Sequence, residues 1–244
     1  MTSQLRVSLQ PALTFWLILL LCGTTASAAE TGPTADVLMQ RGLSAAEQGN
    51  LDRALVDWKA AAELYDQAGQ AKGHLQALFH AAYAARALGH VNQAFLQQEL
   101  ALQLARRIGD PQWLALTRSE LGKTYVTSHQ YVTAADYLSQ AEAIARTKNL
   151  GSLSAALRND LGIVLALQGR FPEALTAFQD SATGAAEEAV RDLFVRARVN
   201  AARVAIQLKR FDEAAASLNE AADRLSATTA SHNKADGLIN LALG

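Results

Sequence analysis

The chain is 244 residues long, half of it hydrophobic, with 22 lysines and arginines against 23 aspartates and glutamates. That near balance, with no run of basic side chains, excludes the clustered basic surplus of a polyanion-binding protein. Ala, Leu, Gln, Glu and Arg dominate, and nothing alternates with a period of two for long, so an all-helical chain is predicted.

The first residues form a separate object. Residues 1–10 are polar with one positive side chain, Arg6, and ALTFWLILLLC at 12–22 is an apolar run. Small residues follow up to Ala26-Ser27-Ala28. A charged start, an apolar stretch of about 7–15 residues and an A-x-A exit describe a secretory signal peptide over 1–28, cleaved after Ala28. The run is shorter than the roughly 20 residues that span a bilayer, although an uncleaved anchor is the alternative. Cys22 is the only cysteine and would leave with the signal. Bulky Leu21 beside it does not fit a lipoprotein processing site. Residues 29–34, with Gly32 and Pro33, read as a flexible lead-in. The expected location is therefore outside the inner membrane, periplasmic or secreted, with no membrane contact after cleavage.

From residue 35 onward a forty-residue ruler governs the sequence. Gly42, Ala82, Gly122, Gly162, Ala202 and Ala242 are all small, and Ala recurs at 54, 94, 134, 174 and 214. A third column is large and apolar (Leu51, Val91, Tyr131, Phe171, Phe211), and a fourth is turn-like (Gly49, Gly89, His129, Gly169, Lys209). Columns of different chemistry that hold one period without an insertion define a repeat. Each unit reads as a helix hairpin in which the small residue and the Ala twelve positions on mark a close crossing. Gly169 ends one helix in the left-handed conformation, and Pro172 opens the next, where its missing N–H costs nothing. The predicted helices are 35–48 with 51–67, 71–88 with 91–108, 111–128 with 131–147, 151–168 with 171–188, and 190–208 with 211–226. The repeats fall near 35–70, 71–110, 111–150, 151–189 and 190–230. A last segment, 232–243, begins a sixth repeat (231–244) without its second helix. LINLAL at 238–243 is too apolar for an exposed cap, so truncation before a further domain is expected.

This pattern resembles the tetratricopeptide repeat (TPR). The family's small residue, preceded by Leu and followed three on by an aromatic, is seen in Leu121-Gly122 with Tyr125. Its second-helix Ala is Ala134, its second-helix aromatic matches Trp58 and Phe178, and its next small position matches Ala61, Ala101, Ala141 and Ala221, with Ser181 the exception. The pitch of forty instead of thirty-four and the missing terminal proline depart from the family. The resemblance implies a right-handed α-solenoid of stacked antiparallel helix pairs over 35–244.

Little catalytic chemistry is legible. The histidines at 74, 80, 90, 129 and 232 form no H-x-x-x-H, and no P-loop, G-x-S-x-G or G-x-G-x-x-G occurs. Asn159-Asp160 reads as helix surface. No enzyme activity, metal or cofactor is expected. In stacked helix pairs the first helices line the concave side, and helical spacing from the small residue places Phe79, Tyr83 and Arg86 there. Ser119, Lys123 and Thr127 follow, then Asn159 and Ile163, then Arg203 and Gln207. Such a strip suits an extended peptide or its acidic side chains; the alternative is that these are the solvated faces of amphipathic helices. It lacks the Lys/Asn clamp by which some relatives hold a C-terminal carboxylate. The expected function is an exported, non-enzymatic interaction module with a protein or peptide partner and no nucleic acid. The alternative is the recognition arm of a longer protein, such as a CHAT-type peptidase or a membrane sensor.

Overall fold

The computed structural model describes residues 32–185 and 191–226. The expected signal peptide at 1–28, half of the lead-in and the segment 232–243 lie outside the described residues. Among those described, ten helices follow one another without a strand. They are α1 (Ala35–Glu47), α2 (Leu51–Gln67), α3 (Ala71–Ala87), α4 (Val91–Ile108) and α5 (Pro111–Thr127). Then come α6 (Tyr131–Thr147), α7 (Gly151–Leu167), α8 (Phe171–Gly184), α9 (Arg191–Gln207) and α10 (Phe211–Ser226). Each packs against the helix before and after it, and first helices also touch across repeats, α3 on α5 and α7 on α9. This is the all-α stack of helix pairs that the sequence predicts.

The turns reveal a finer ruler than the one read from the sequence. Left-handed backbone occurs at Gly49, Gly69, Gly89, Gly109, His129, Asn149 and Gly169, one every twenty residues, and again forty residues on at Lys209. The turn within a hairpin and the turn between hairpins are thus nearly the same device. After most of these residues an N–H reaches back to a carbonyl in the last turn, as in Asn50 N to Ala45 O (2.8 Å), Gln70 N to Tyr65 O (2.9 Å) and Arg170 N to Leu165 O (2.9 Å). That closure satisfies carbonyls a helix end leaves open. His129, Asn149 and Lys209 adopt φ of 55–59° without glycine's freedom. The left-handed strain of roughly 1–2 kcal/mol each is outweighed by the closure and the packing it permits. At the α4–α5 connection the spacing is kept but the cap differs: Asp110 accepts from the N–H groups of Gln112 and Trp113 ahead of Pro111 at the start of α5.

The small column meets a larger neighbour than the expected alanine. A methyl built on Gly162 would lie 2.7 Å from the Phe178 ring, and one on Gly122 would lie 2.8 Å from Leu138 Cγ. At Gly42 it would run into the Trp58 indole. The space left by each glycine is therefore filled by the side chain sixteen residues on, and at Gly122 the Ala134 carbonyl, twelve residues on, also approaches to 3.2 Å. Ala54, Ala94, Ala134 and Ala174 are nevertheless fully buried in the same crossings. Trp58 and Phe178 are among the largest fully buried side chains, each removing an aromatic payload from water that dominates its hairpin's core. His80 stacks on the Trp58 ring at 5.0 Å between centroids, and burial holds its imidazole below the usual histidine pKa.

Polar side chains join helices both between and within hairpins. Gln98, buried on α4, donates to Thr124 Oγ1 (2.7 Å) and to the Glu120 carbonyl (3.1 Å) of α5. Ser181 is the one departure from alanine in its column, and its hydroxyl donates to the Ala155 carbonyl of α7 at 2.7 Å. That bond explains how a polar atom is tolerated at a fully buried site.

Gly162→Leu should overpack the α7–α8 crossing against Phe178 and cost about 1–3 kcal/mol. Chemical denaturation of the purified chain measures it, and an unchanged midpoint would contradict the crossing.

Candidate functional site

The exposed face shared by the first helices follows one rule. The residue after the small position, and the residue four further on, sit on one side of the helix. They are Tyr83 and Ala87 on α3, Lys123 and Thr127 on α5, Ile163 and Leu167 on α7, and Arg203 and Gln207 on α9. All are exposed except Lys123, which is half-buried. The position three before the small residue points elsewhere. Ser119 and Asn159 are buried, 3% exposed each, and do not reach this face. Asn159 instead accepts a hydrogen bond from Asn200 of α9 at 3.0 Å, so its amide joins repeats and is not helix surface. Phe79 is half-buried, its ring edge-on to Trp113 of α5 at 5.6 Å. The physical reason is that each first helix must cover the first helix of the next repeat as well as its own partner, and these three positions supply that seam.

Two of the expected donors are already engaged. Arg86 donates to Glu120 Oε2 (3.1 Å), and Lys123 donates to Glu120 Oε1 (3.0 Å) and contacts Asp160 Oδ2 (3.2 Å). The result is a chain of alternating charge from α3 across α5 to α7. Burial works to lower the Lys123 pKa, but Asp160 and Glu120 outweigh it and hold it above the usual lysine value. Arg86 also lies over the Tyr83 ring at 5.6 Å. A guanidinium and an ammonium neutralised in this way are poor receptors for a second carboxylate. Thr127 likewise uses its hydroxyl within α5, donating to the Lys123 carbonyl at 3.2 Å.

The α7–α9 end is different. Ile163, Leu167, Phe171, Val204 and Gln207 line a notch of about 380 Å³ with Phe178 as part of its wall. Arg203 also lines it, and no hydrogen bond, ion pair or ring contact engages that guanidinium among the described residues. Ile163 is 39% and Leu167 48% exposed, which leaves large aliphatic groups facing water next to an unpaired cation. A larger hollow of about 620 Å³ borders α1 and the start of α2. Its cations are engaged, Arg41 and Arg53 both reaching Asp57 (3.1 and 3.9 Å). The sequence reading missed Glu120, Asp160 and Phe171 as parts of this face. The signal was present for the first two, because Glu120 and Asp160 occupy equivalent places in consecutive repeats. Among the described residues, no three metal-ligating side chains come together.

No protein-family model matches the chain, and no curated protein matches it. Solved structures match its fold. A Rap protein complexed with Competence and Sporulation Factor superposes with a TM-score of 0.67 at 16% identity, covering 79% of this chain and 54% of that one. The apo form of RapI gives 0.69 at 11% identity over 93% of this chain and 61% of its own. A putative kinesin light chain from Podospora anserina with nearly identical TPR-like repeats gives 0.64 at 17% identity, covering 80% of this chain and 96% of that one. The chain thus spans little more than half the length of the two Rap proteins. At these identities the likeness establishes the fold, a TPR-like helical solenoid.

Glu120→Ala would leave Arg86 without its acceptor and Lys123 with Asp160 alone. The expected loss is about 2–3 kcal/mol, between the roughly 0–1 of a surface pair and the 3–5 of a broken buried one. Urea unfolding measures it, and a loss below about 0.5 kcal/mol would show that the charge chain ties nothing together.

Proposed function

We propose that this chain is an exported, non-enzymatic interaction module whose first-helix face, at the α7–α9 end, receives a segment of a partner protein. The observation that carries the reading is the contrast along that face. Charges are paired internally from α3 to α7, whereas the notch beside α9 leaves Ile163 and Leu167 exposed around Arg203, which has no partner among the described residues. Exposed aliphatic side chains rimmed by polar groups mark sites where another molecule is covered. The mechanism is preformed shape with several weak contacts and no cofactor. The solved TPR-like neighbours lend support: one of them was captured with Competence and Sporulation Factor bound. The sequence at 1–28, with its apolar run and A-x-A exit, supports export and with it a partner in the periplasm or outside the cell.

Photo-crosslinking in the producing cell tests the interaction. A photoreactive residue at Gln207 should give an adduct with a second protein, and one at Val132, an exposed position on the second helix α6, should give none. Adducts from Val132 alone would move the partner to the opposite face and overturn the proposal. Intact-mass measurement of the same recovered chain tests export: a start at Ala29 is expected, and a retained Met1 would contradict cleavage.

A further inference from the structure

We infer that the segment received at the α7–α9 notch is acidic, with a large apolar side chain close in sequence to a carboxylate that Arg203 holds. This rests on the interaction-module reading and names the chemistry of the same face.

Charge distribution supplies the first argument. On α9, Arg196 and Arg203 are both exposed and lie seven residues apart, two turns along one side of the helix. Neither has a carboxylate partner among the described residues, whereas Arg86 and Lys123 on the same face each have one. A fork of guanidinium N–H groups facing water beside an apolar wall is suited to bidentate capture of a carboxylate, and partial exclusion of water strengthens that bond.

Spacing supplies the second. Seven residues of helix rise about 10 Å, and an extended chain covers that distance in about three residues. A chain lying along α9 in the polyproline II conformation, with three residues per turn and a rise of about 3.1 Å per residue, would therefore place two acidic side chains, three apart and on one face, at Arg196 and Arg203. The side chain beside the second of these would enter the notch between Ile163, Leu167 and Val204. Asn200, between the two arginines, already donates to Asn159, which leaves Gln207 as the neutral donor at the rim. A nucleic-acid backbone fits less well, because its affinity depends on many neutralised phosphates and this row offers two cations.

The full chain, selected against a phage-displayed random peptide library, tests the inference. Selected peptides should be enriched in Asp or Glu within a few residues of Leu, Ile, Phe or Met. For a fluorescent copy of the commonest one, changing its carboxylates to amides should weaken binding at least about tenfold, as expected for loss of a charge-assisted hydrogen bond. Arg203→Ala should cause a similar loss for the acidic peptide and no further loss for the amide form. Leu167→Lys should abolish binding of both. Peptides without acidic enrichment that Leu167→Lys still abolishes would overturn the carboxylate assignment and leave the interaction module standing. Peptides indifferent to both variants, or no selectable peptide at all, would count against both. Competition by single-stranded DNA at equal concentration would also overturn the assignment. So would an intramolecular adduct from a photoreactive residue at Ile163 to residues 231–244, since the chain would then fill its own notch.

Discussion

The stack depends on one fit: a large side chain of each second helix lies where the first helix has almost no side chain. Gly42 receives Trp58, Gly122 receives Leu138 and Gly162 receives Phe178. Glycine in a helix interior costs roughly 1 kcal/mol against alanine, so its retention at three of these places needs a reason. The rings and the leucine supply it, because burying such a side chain is worth roughly 1.5–3 kcal/mol or more. Ala82 and Ala202 stand at the corresponding places opposite Gln98 and Leu218, so the smaller room goes with side chains that are not aromatic.

From that fit the remaining geometry follows. Two helices held at one distance, joined by turns that recur every twenty residues, give hairpins of constant length. Hairpins of constant length place equivalent positions of successive first helices side by side. That is how Arg86 meets Glu120, 34 residues away, and how Lys123 meets both Glu120 and Asp160. The same register leaves Arg196 and Arg203 on α9 without an answering acid among the described residues, and so turns a regular scaffold into a surface with one distinct end. Function, on this account, lies in where the repeat stops being self-complementary.

Much of this was legible in the sequence. Tiny residues every forty positions and the turn-like column gave the hairpins, and the helix limits read from them agree with the structure to within a residue or two over most of the chain. The twenty-residue unit was missed although Gly69, Gly109 and Asn149 were in view, because attention to one hairpin hides its likeness to the connection that follows. The Ala column marks the crossing, as its complete burial shows, but the side chain nearest Gly162 is Phe178, since spacings of twelve and sixteen lie on nearly the same face of the second helix and only packing distinguishes them. Ser119 and Asn159 were assigned to the open face because periodicity gives the side of a helix. It does not tell which neighbouring repeat covers that side. Ion pairs between repeats are harder still, as they depend on the rotation from one hairpin to the next.

The most direct test of the central fit is a double-mutant cycle at 162 and 178, read by equilibrium unfolding. If Phe178 fills the room that Gly162 leaves, Phe178→Ala should relieve the clash of Gly162→Ala, and the two changes should couple by about 1–3 kcal/mol. Strict additivity of the two substitutions would mean that ring and glycine do not meet, and the account of how these helices stack would fail.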